Sequence, residues 1–455
     1  MPSFRYVHKF ENDAAYINYM NNQYESPFFS LTHISGDTAE WTSYRADYEP
    51  QPIDLSEVDN NGFPTGTRET ANCYVVKKTG WYEFPIVYGC AISAGTQNAS
   101  AYTRMPLSGG TYSASNATFV NYKNTEITTP YIETDTGDVV NSAEVFSVDT
   151  CGYTITDIEL VTKDLCKYIR FRVTAMPPLG GNAVIAIRNS SNVIMWSWHI
   201  WAYPFIINDC DIPFTSAATE TRYHKFMDVN VGWVKDAVGS KYGTSPYYEW
   251  GRKDPMPRIV SYDIDTTNVL SLVYGTLKQA PSATTIAEGI KNPDTYYLRG
   301  ATGKTGYGWI SGATKAIPRF LNLWNWKFDG RWEKDTPGKT VYDPSPPGYQ
   351  VPQTSQLVAM TEGTATGGYD WGATWYGRHF QGLSTYPSAG GTPPSAKLPY
   401  MYYSTCTNSA TGDTTWMEIF FASAGTQSTA ATFDVLLPRN SYKSAGMVYA
   451  PIRVE

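Results

Sequence analysis

The sequence predicts a mainly β protein with a few short helices, and three observations support this fold class. From about residue 69 to residue 204, short apolar or alternating runs are separated by Gly, Asn and Ser. Residues 205–455 are rich in Gly and Trp and show few periodic segments. The chain carries 35 Tyr, 14 Trp and 18 Phe, which favour strands and fill a helix-poor core. We predict an N-terminal arm or adaptor (1–68), an antiparallel β-sandwich domain (69–204) and a loop-rich α+β domain (205–455).

The arm contains one helical candidate, Glu11–Gln23, in which apolar residues interrupt polar ones with weak periodicity. An aromatic segment, Tyr24–Leu31, and an acidic, turn-rich stretch follow it. Segments of this kind commonly order only against a partner. We therefore expect residues 1–68 to attach the chain to another protein.

In the sandwich segment, Asn189–Asn192 separates two β-branched runs, which predicts a hairpin. The second run contains WSWHIW, and alternation along a strand places Ser197, His199 and Trp201 on one face and Trp196, Trp198 and Ile200 on the other. One interpretation is a stacking platform for a sugar or partner, with His199 as its polar contact. We favour a core strand, because both faces carry Trp.

The C-terminal segment predicts two short helices, one near Thr285–Lys291 and one near Pro352–Met360. Aspartate and prolines between Tyr342 and Pro352 predict a rigid turn that acts as scaffolding. In YYEWGRKDPMPR, Glu249 and Asp254 could serve as the paired carboxylates of a glycosidase. Arg252 and Lys253 lie between them and would pair with both acids, so we predict a structural ion-pair network instead.

Charge and composition exclude several functional classes. The net charge of −7, without a block of Lys or Arg, argues against nucleic-acid binding. No apolar stretch is long enough to span a membrane, so we expect no membrane insertion. The first residues show no basic segment followed by an apolar core, so we expect no export by the general secretory route. The six cysteines have no metal-ligand spacing, and we predict buried thiols, no metal and no cofactor.

Several local motifs resemble those of known surface-protein families. ANCYVVKKTGWYEFPIVYGCAI, NTEITTPYI and GNAVIAIRNSSNVIMWSWHIWAY resemble the middle domain of fimbrillin-like surface proteins of Bacteroidetes. Further on, KFMDVNVGWV, YYEWGRKDPMPR, TTIAEGIKNPDTYY, KTVYDPSPPGYQVP and SAGMVYAPIRVE resemble, in this order, the Fibrobacter succinogenes major paralogous domain, which is related to C-type lectins and to the formylglycine-generating enzyme. The resemblance implies a C-type-lectin-like fold for residues 205–455.

The resemblance also implies a set of structural motif residues: Trp196, Trp198, His199, Trp201, Asp228, Asn230, Trp250, Gly251, Arg252, Asp254, Asp343, Pro344, Gly348 and Pro352. Two positions depart from the family pattern. Val229 replaces a frequent Arg, and Ser345 replaces a Cys that could form a disulfide in exported relatives. The second departure fits assembly in a reducing cytoplasm. The enzymatic branch works through cysteine chemistry, and Cys210 and Cys406 of this segment lie in no recognisable catalytic context.

A candidate ligand-binding surface lies in the segment Gly367–Tyr403, where Gly and Pro predict a structured loop. Tyr and Trp side chains on a loop supply broad faces for sugar rings. The predicted contact residues are Trp371, Trp375, Tyr376, Arg378, His379 and Tyr386. The alternative is that these aromatic side chains fill the core.

Three functions from different classes remain after this reasoning. We favour a non-catalytic structural protein of a Bacteroidetes phage, a fibre, tail-associated or capsid-decorating subunit assembled in the host cytoplasm. Its partners would be other virion proteins bound through residues 1–68, further copies of itself in a homo-oligomer, and a host cell-surface glycan. An exported fimbrial or tip adhesin on the bacterial cell surface is the alternative. A glycan-active enzyme comes third.

Overall fold

Two groups of residues form separate compact units in the computed structural model, Met1–Pro52 and Ile53–Glu455. The smaller unit contains an antiparallel hairpin of two strands, Phe29–Ser35 and Thr38–Ser43. The predicted helix Glu11–Gln23 lies outside the described residues. The structure describes residues 29–35, 38–43, 51–103, 118–163, 166–215, 221–235, 243–256, 259–262, 270–272, 278–280, 284–297, 309–310, 323–324, 338–352, 356, 374–375, 378–379, 400–408, 416–424, 433–442, 446–447 and 449–454.

Two four-stranded sheets form the first part of the larger unit. The first sheet contains, in spatial order, strands Ile53–Asp54, Gly80–Pro85, Lys167–Ala175 and Thr154–Thr162. The second contains Cys73–Val76, Ile194–Ala202, Gly181–Arg188 and Ser142–Val148. Neighbouring strands are antiparallel, except that one edge strand of each sheet, Ile53–Asp54 and Cys73–Val76, pairs in parallel.

The predicted hairpin at Asn189–Asn192 is confirmed. The Asn189 side chain accepts hydrogen bonds from the backbone of Ser191 at 3.1 Å and of Val193 at 3.0 Å. Asn192 has a φ of 61°, a left-handed conformation that Asn adopts more readily than most residues. The turn between strands Gly181–Arg188 and Ile194–Ala202 is therefore stabilised by the hydrogen bonds to the Asn189 side chain and by the left-handed backbone of Asn192.

Aromatic side chains join the two sheets into a sandwich. Phe84 of the first sheet packs against Trp198 of the second with ring centroids 5.2 Å apart, and against Tyr74 at 5.0 Å. Phe171, in the strand next to Phe84, lies edge-on to it at 6.1 Å. All four rings are buried. Burial of such side chains supplies most of the favourable free energy of a two-sheet core.

The C-terminal part of the larger unit contains a third four-stranded sheet in the order Asp209–Thr215, Thr221–Met227, Ile452–Arg453 and Tyr349–Gln350. The strand Ile452–Arg453 therefore returns to pair with the strand that contains Phe226. Shorter strands are Ile92–Ser93, Thr96–Gln97, Val234–Lys235, Gly243–Thr244, Tyr248–Glu249, Ile259–Tyr262, Leu270–Leu272, Lys278–Ala280, Thr295–Tyr297, Thr374–Trp375, Arg378–His379 and Gly446–Met447.

The helices among the described residues are short. The predicted helix near Thr285–Lys291 is confirmed as Ile286–Lys291, and the Thr285 hydroxyl caps it by accepting from the Glu288 backbone. The other helical turns are Ile132–Thr136 and the 3-10 turn Ala99–Ala101. Of the predicted helix Pro352–Met360, most residues lie outside the described part of the chain. No helix in the described ranges has the length and apolarity to cross a membrane.

A three-stranded antiparallel sheet occupies part of the segment that we predicted to be loop-rich. Its strands are Tyr400–Asn408, Trp416–Ala424 and Phe433–Tyr442. The first of them begins within the predicted loop Gly367–Tyr403. The prediction of an irregular loop is therefore wrong for residues 400–403, which contain no Gly or Pro. The chain as a whole is mainly β with a few short helices, as predicted.

The division of the chain into units differs from the three predicted segments. Residues 53–68 belong to the larger unit, because Leu55 is buried in its core and Asn60 donates to the Pro347 carbonyl at 2.9 Å. Asn61 in turn exchanges two hydrogen bonds of 2.8 Å with the backbone of Ile207. Side chains on both sides of residue 204 also share one buried interface. The described residues of 53–455 therefore form one body.

Candidate functional site

The WSWHIW strand, Ile194–Ala202, is buried along its whole length. Trp198 faces the first sheet, where it contacts Phe84. On the opposite face, Ser197 donates to Asp254 at 2.6 Å and Trp201 donates to the Trp233 carbonyl at 3.0 Å. The strand is therefore a core strand covered on both sides, which favours the core interpretation over the stacking platform.

Polar residues of this strand and of the segments around it form a buried interface that we call the polar seam. It consists of Asn72, Asn182, Ser197, His199, Tyr248, Glu249, Arg252, Lys253, Asp254 and Asp343, each fully buried. Asn72 joins its two sides, because its amide donates to the carbonyls of Val341 at 2.6 Å and Asp343 at 2.9 Å. Its own carbonyl accepts from the Trp196 indole at 3.0 Å. The seam thus fastens the sandwich to residues 245–351.

His199 lies in the middle of the seam and is held in its neutral form. Its Nε2 lies 2.8 Å from Asn182 Oδ1, and its Nδ1 lies 3.1 Å from the Tyr248 hydroxyl. Because the Asn182 amide already donates to Asp149 and to the Gly232 carbonyl, Asn182 Oδ1 accepts from His199 Nε2. The Tyr248 hydroxyl then donates to Nδ1. Burial lowers the pKa of His199 to about 3.

We expect this histidine to make the protein sensitive to acid. The unfolded chain binds a proton at His199 below pH about 6.5, while the folded chain binds it only near pH 3, so stability falls as pH falls through this window. The loss at pH 5 is about 2 kcal/mol. It is measured by urea unfolding of the wild type and of His199→Gln, which keeps a donor and an acceptor but does not titrate. An equal pH dependence in both proteins would contradict this assignment.

Glu249 and Arg252 form a fully buried ion pair with a distance of 2.8 Å. Arg252 also donates to the carbonyls of Gly289 at 3.1 Å and Asn292 at 2.9 Å, at the end of the helix Ile286–Lys291. Glu249 accepts from the Tyr297 backbone at 3.1 Å. Burial raises the pKa of Glu249 to about 8, and Arg252 opposes that rise. This pair therefore links three segments of backbone.

Lys253 and Asp254 form the second buried pair, at 2.6 Å. Lys253 also donates to the carbonyl of Ser197 at 3.0 Å, and its ammonium lies 4.6 Å from the centre of the Trp196 ring. Burial lowers the pKa of Lys253 to about 8, and Asp254 opposes this. Glu249, Arg252, Lys253 and Asp254 of YYEWGRKDPMPR therefore form the predicted structural network. Neither Glu249 nor Asp254 has an open path to a substrate, because both are fully buried.

The predicted turn Tyr342–Pro352 is organised around Asp343. Its carboxylate accepts from the backbone of Ser345 at 2.7 Å and of Val351 at 2.9 Å, and it is fully buried. Pro344 and Pro352 are buried beside it, and Gly348 has the positive φ of 77° that the turn requires. These contacts agree with the scaffolding interpretation.

Trp250 and Gly251 contact two further buried side chains, Trp309 and Leu323. The Trp250 carbonyl accepts from the Trp309 indole at 2.7 Å. Gly251 has a φ of 85°, and a Cβ there would lie 2.3 Å from the side chain of Leu323. The position therefore requires glycine both for its backbone conformation and for space.

Asp228 and Asn230, the remaining motif residues, lie near the start of the C-terminal segment. Asp228 accepts from the backbone and the side chain of Asn208, each at 3.1 Å. Asn230 is fully buried, and its carbonyl accepts from the Trp233 backbone at 3.2 Å. These contacts shape the turn that leads to Trp233, the residue that receives the Trp201 indole hydrogen bond.

Two short paired strands contain three residues of the predicted ligand-binding set, Trp375, Arg378 and His379. Strands Thr374–Trp375 and Arg378–His379 pair antiparallel, with Trp375 opposite Arg378. Trp371, Tyr376 and Tyr386 lie outside the described residues. A binding role for these six residues stays a prediction. Among the described residues, no group of three or more His, Cys, Asp or Glu side chains is arranged to hold a metal ion.

Sequence reasoning missed Asn72, Asn182 and Tyr248, although each lies within a recognised motif. The available signal for Asn72 and Asn182 was a polar side chain at the start of an apolar strand. That signal is weak, because such a residue usually faces solvent. Only the parallel pairing of Cys73–Val76 with the WSWHIW strand brings Asn72 beside Trp196.

Comparison of the chain with protein-family models, with curated proteins and with solved structures gave no match. The resemblance to fimbrillin-like and lectin-like proteins therefore remains a prediction from the motifs.

Proposed function

We propose that this chain is a non-catalytic structural subunit of a phage particle, with a role in attachment to the host surface. The observation that carries the proposal is the polar seam. Its charged residues form buried pairs that fasten the sandwich to residues 245–351, and the motif carboxylates Glu249 and Asp254 are fully buried. Charges buried in such pairs are closed to a substrate, and we infer that they fix how the joined segments pack. A rigid body of this kind suits a fibre, tail-associated or capsid-decorating subunit.

The state of the cysteines supports assembly in a reducing cytoplasm over an exported adhesin. Cys73 and Cys90 are buried free thiols and Cys166 is half-buried and free, but Cys151 is exposed and free, so the prediction of buried thiols is wrong for Cys151. Burial raises the pKa of Cys90 to about 12, so this thiol behaves as a small apolar side chain. Disulfides form and persist in oxidising compartments and are rare in proteins of a reducing cytoplasm. These four free thiols among the described residues favour a protein that folds in a reducing compartment.

We assign attachment to the particle to residues 1–52, the smaller compact unit. Residues 53–68 pack into the larger unit through Leu55 and Asn60, so a deletion that tests attachment must end at Pro52. Further copies of the chain in a homo-oligomer and a host cell-surface glycan complete the proposed set of partners.

We expect the chain without residues 1–52 to fold and to be absent from particles. The deletion is introduced into the phage genome, with or without an epitope tag. The particles are then purified and probed by immunogold labelling and mass spectrometry. The matched control carries Phe63→Ala, a change at a side chain that is 63% exposed within the larger unit. Labelling of wild-type and Phe63→Ala particles with none for the deletion supports the proposal. Absence of the wild-type chain from every particle, or normal incorporation of the deletion, refutes it.

A further inference from the structure

Among the described residues of the larger unit, five strands of seven or more residues lie at the edges of sheets. They are Ser142–Val148, Thr154–Thr162, Asp209–Thr215, Tyr400–Asn408 and Phe433–Tyr442. The outer side of an edge strand has unpaired backbone N–H and C=O groups, to which a strand of another chain can bond. Proteins commonly prevent this with a proline, a charged residue or a bulge in the edge strand. An edge strand without these features is open to another chain.

Proline interrupts two of these edges. Pro213 lies within Asp209–Thr215, and Pro438 lies within Phe433–Tyr442. Because proline has no N–H to donate, neither strand presents an unbroken row of bonding groups. The register of the second strand with its neighbour also shifts near Pro438.

Bulges and acidic residues interrupt two other edges. In Ser142–Val148, Phe146 has no partner in the register with the neighbouring strand, and Glu144 precedes it by two residues. In Thr154–Thr162, Asp157 has a φ of 51° at the point where the register shifts. A bulge bends the strand, and a charged residue at an edge opposes pairing with another edge.

Tyr400–Asn408 differs from the other four edges. Its sequence, YMYYSTCTN, contains no proline and no charged residue. It pairs with Trp416–Ala424 in unbroken antiparallel register from Tyr400 to Ser404, and the register shifts only after Ser404. Tyrosine favours strands, and neutral segments of high strand propensity are those that pair with further strands. Among the strands that the structure describes, the stretch Tyr400–Ser404 therefore has an open edge.

We propose that this stretch pairs with the same stretch of a second copy of the chain, antiparallel about a two-fold axis at Tyr402. The facing positions are Tyr400 with Ser404, Met401 with Tyr403, and Tyr402 with its own copy. No like charges meet in this register, and aromatic pairs across strands are favourable. A second copy supplies a strand of matching length and neutrality, as a two-fold contact requires. The pairing names the surface of the homo-oligomer in the proposed function, on which this inference rests.

The other edge of the same sheet explains why the pairing stops at two copies. The strands lie in the order Tyr400–Asn408, Trp416–Ala424 and Phe433–Tyr442, so the strand that contains Pro438 is the opposite edge. Pairing of the open edges produces one continuous sheet that ends on both sides in this proline-containing strand. Since the two open edges are used up by each other, the assembly closes as a dimer.

The test measures the oligomeric state of the full chain by sedimentation velocity over a range of concentrations. We expect a dimer for the wild type and a monomer for Tyr402→Lys, because the two-fold axis places two like charges opposite each other. Tyr402→Glu should be monomeric for the same reason. An equal mixture of the two variants should restore the dimer, since opposite charges then meet at the axis. Thr162→Lys, at an exposed position of the interrupted edge Thr154–Thr162, should leave the dimer unchanged.

Disulfide formation tests the register. Directly opposite Cα atoms of antiparallel strands lie about 4.5 to 5.5 Å apart, within the range that a disulfide spans. Tyr402→Cys should therefore join two copies under mild oxidation, whereas Met401→Cys, which faces Tyr403, should not. Both variants also carry Cys151→Ser, because Cys151 is exposed and free.

A wild type that is monomeric at every concentration overturns the proposal, as does a Tyr402→Lys chain that remains dimeric or a mixture of folded variants that remains monomeric. Thermal unfolding establishes that each variant is folded. If neither charged variant folds, the disulfide comparison decides the question. Incorporation of a monomeric wild type into particles removes only this contact, whereas absence of the wild-type chain from particles removes the proposed function.

Discussion

Trp198→Ala should lower the free energy of unfolding by about 3 to 5 kcal/mol, the usual cost of truncating a large buried aromatic side chain. Trp198 is fully buried between the two sheets and lies 5.2 Å from Phe84, so its removal leaves a cavity that the flanking strands cannot fill. The measurement is the urea unfolding midpoint together with the slope of the transition, which separates a loss of stability from a change in compactness.

Two controls define what the result means. Phe63→Ala removes an aromatic side chain that is 63% exposed and should change the free energy of unfolding by less than about 0.5 kcal/mol. Trp198→Phe should cost less than Trp198→Ala, because it keeps a ring and removes an indole N–H that has no acceptor in the described part of the chain. A Trp198→Ala protein with an unchanged midpoint and lost ligand binding would restore the stacking-platform interpretation.

Arg252→Met should also destabilise the fold by about 3 to 5 kcal/mol, because it leaves Glu249 buried without its cationic partner. The variant also removes the donors to the carbonyls of Gly289 and Asn292. The double variant Arg252→Met, Glu249→Gln keeps an acceptor for the Tyr297 backbone and contains no buried charge at this site. We expect the double variant to be more stable than Arg252→Met alone.

The pH dependence of Arg252→Met gives a second measurement of the same pair. Burial already raises the pKa of Glu249 to about 8, and loss of Arg252 raises it further. A carboxyl group whose pKa is raised in the folded state contributes most to the stability of the fold below its unfolded pKa of about 4.5. This contribution is lost as pH rises from the unfolded pKa through the folded pKa. Below about pH 7 the stability of both proteins falls in parallel with rising pH, and the deficit of Arg252→Met relative to wild type should therefore be larger at pH 9 than at pH 6. A deficit that is constant with pH would show that Glu249 does not carry the effect.

Local sequence patterns predicted those parts of the fold that local interactions determine. The hairpin at Asn189–Asn192 depends on side-chain bonds within five residues, and the helix Ile286–Lys291 begins at a Thr that caps it. Burial of the WSWHIW strand followed from Trp on both faces. In each case the interactions that determine the structure lie within a few residues, so the local amino-acid sequence is enough to predict it.

Non-local pairing could not be predicted in the same way. Cys73–Val76 pairs in parallel with His199–Ala202, and no feature of either segment specifies the other. The polar seam depends on this pairing, since Asn72 bonds to residues 341 and 343 only when the two segments are aligned. The three long strands between Tyr400 and Tyr442 were missed for a different reason. Their aromatic and β-branched residues favour strands, but interspersed Ser, Thr and Asn obscured the alternation.

The position of Ile452–Arg453 in the third sheet has a consequence for synthesis of the protein. This strand lies between Thr221–Met227 and Tyr349–Gln350, and it pairs with both. Ribosomes add about 5 to 20 residues per second, so the partner strand at Phe226 waits on the order of ten seconds or more for its neighbour. During that time its backbone donors and acceptors on that side are open to other nascent chains. Because this long-range contact closes slowly, we expect the yield of folded protein to depend on translation rate and chaperone supply.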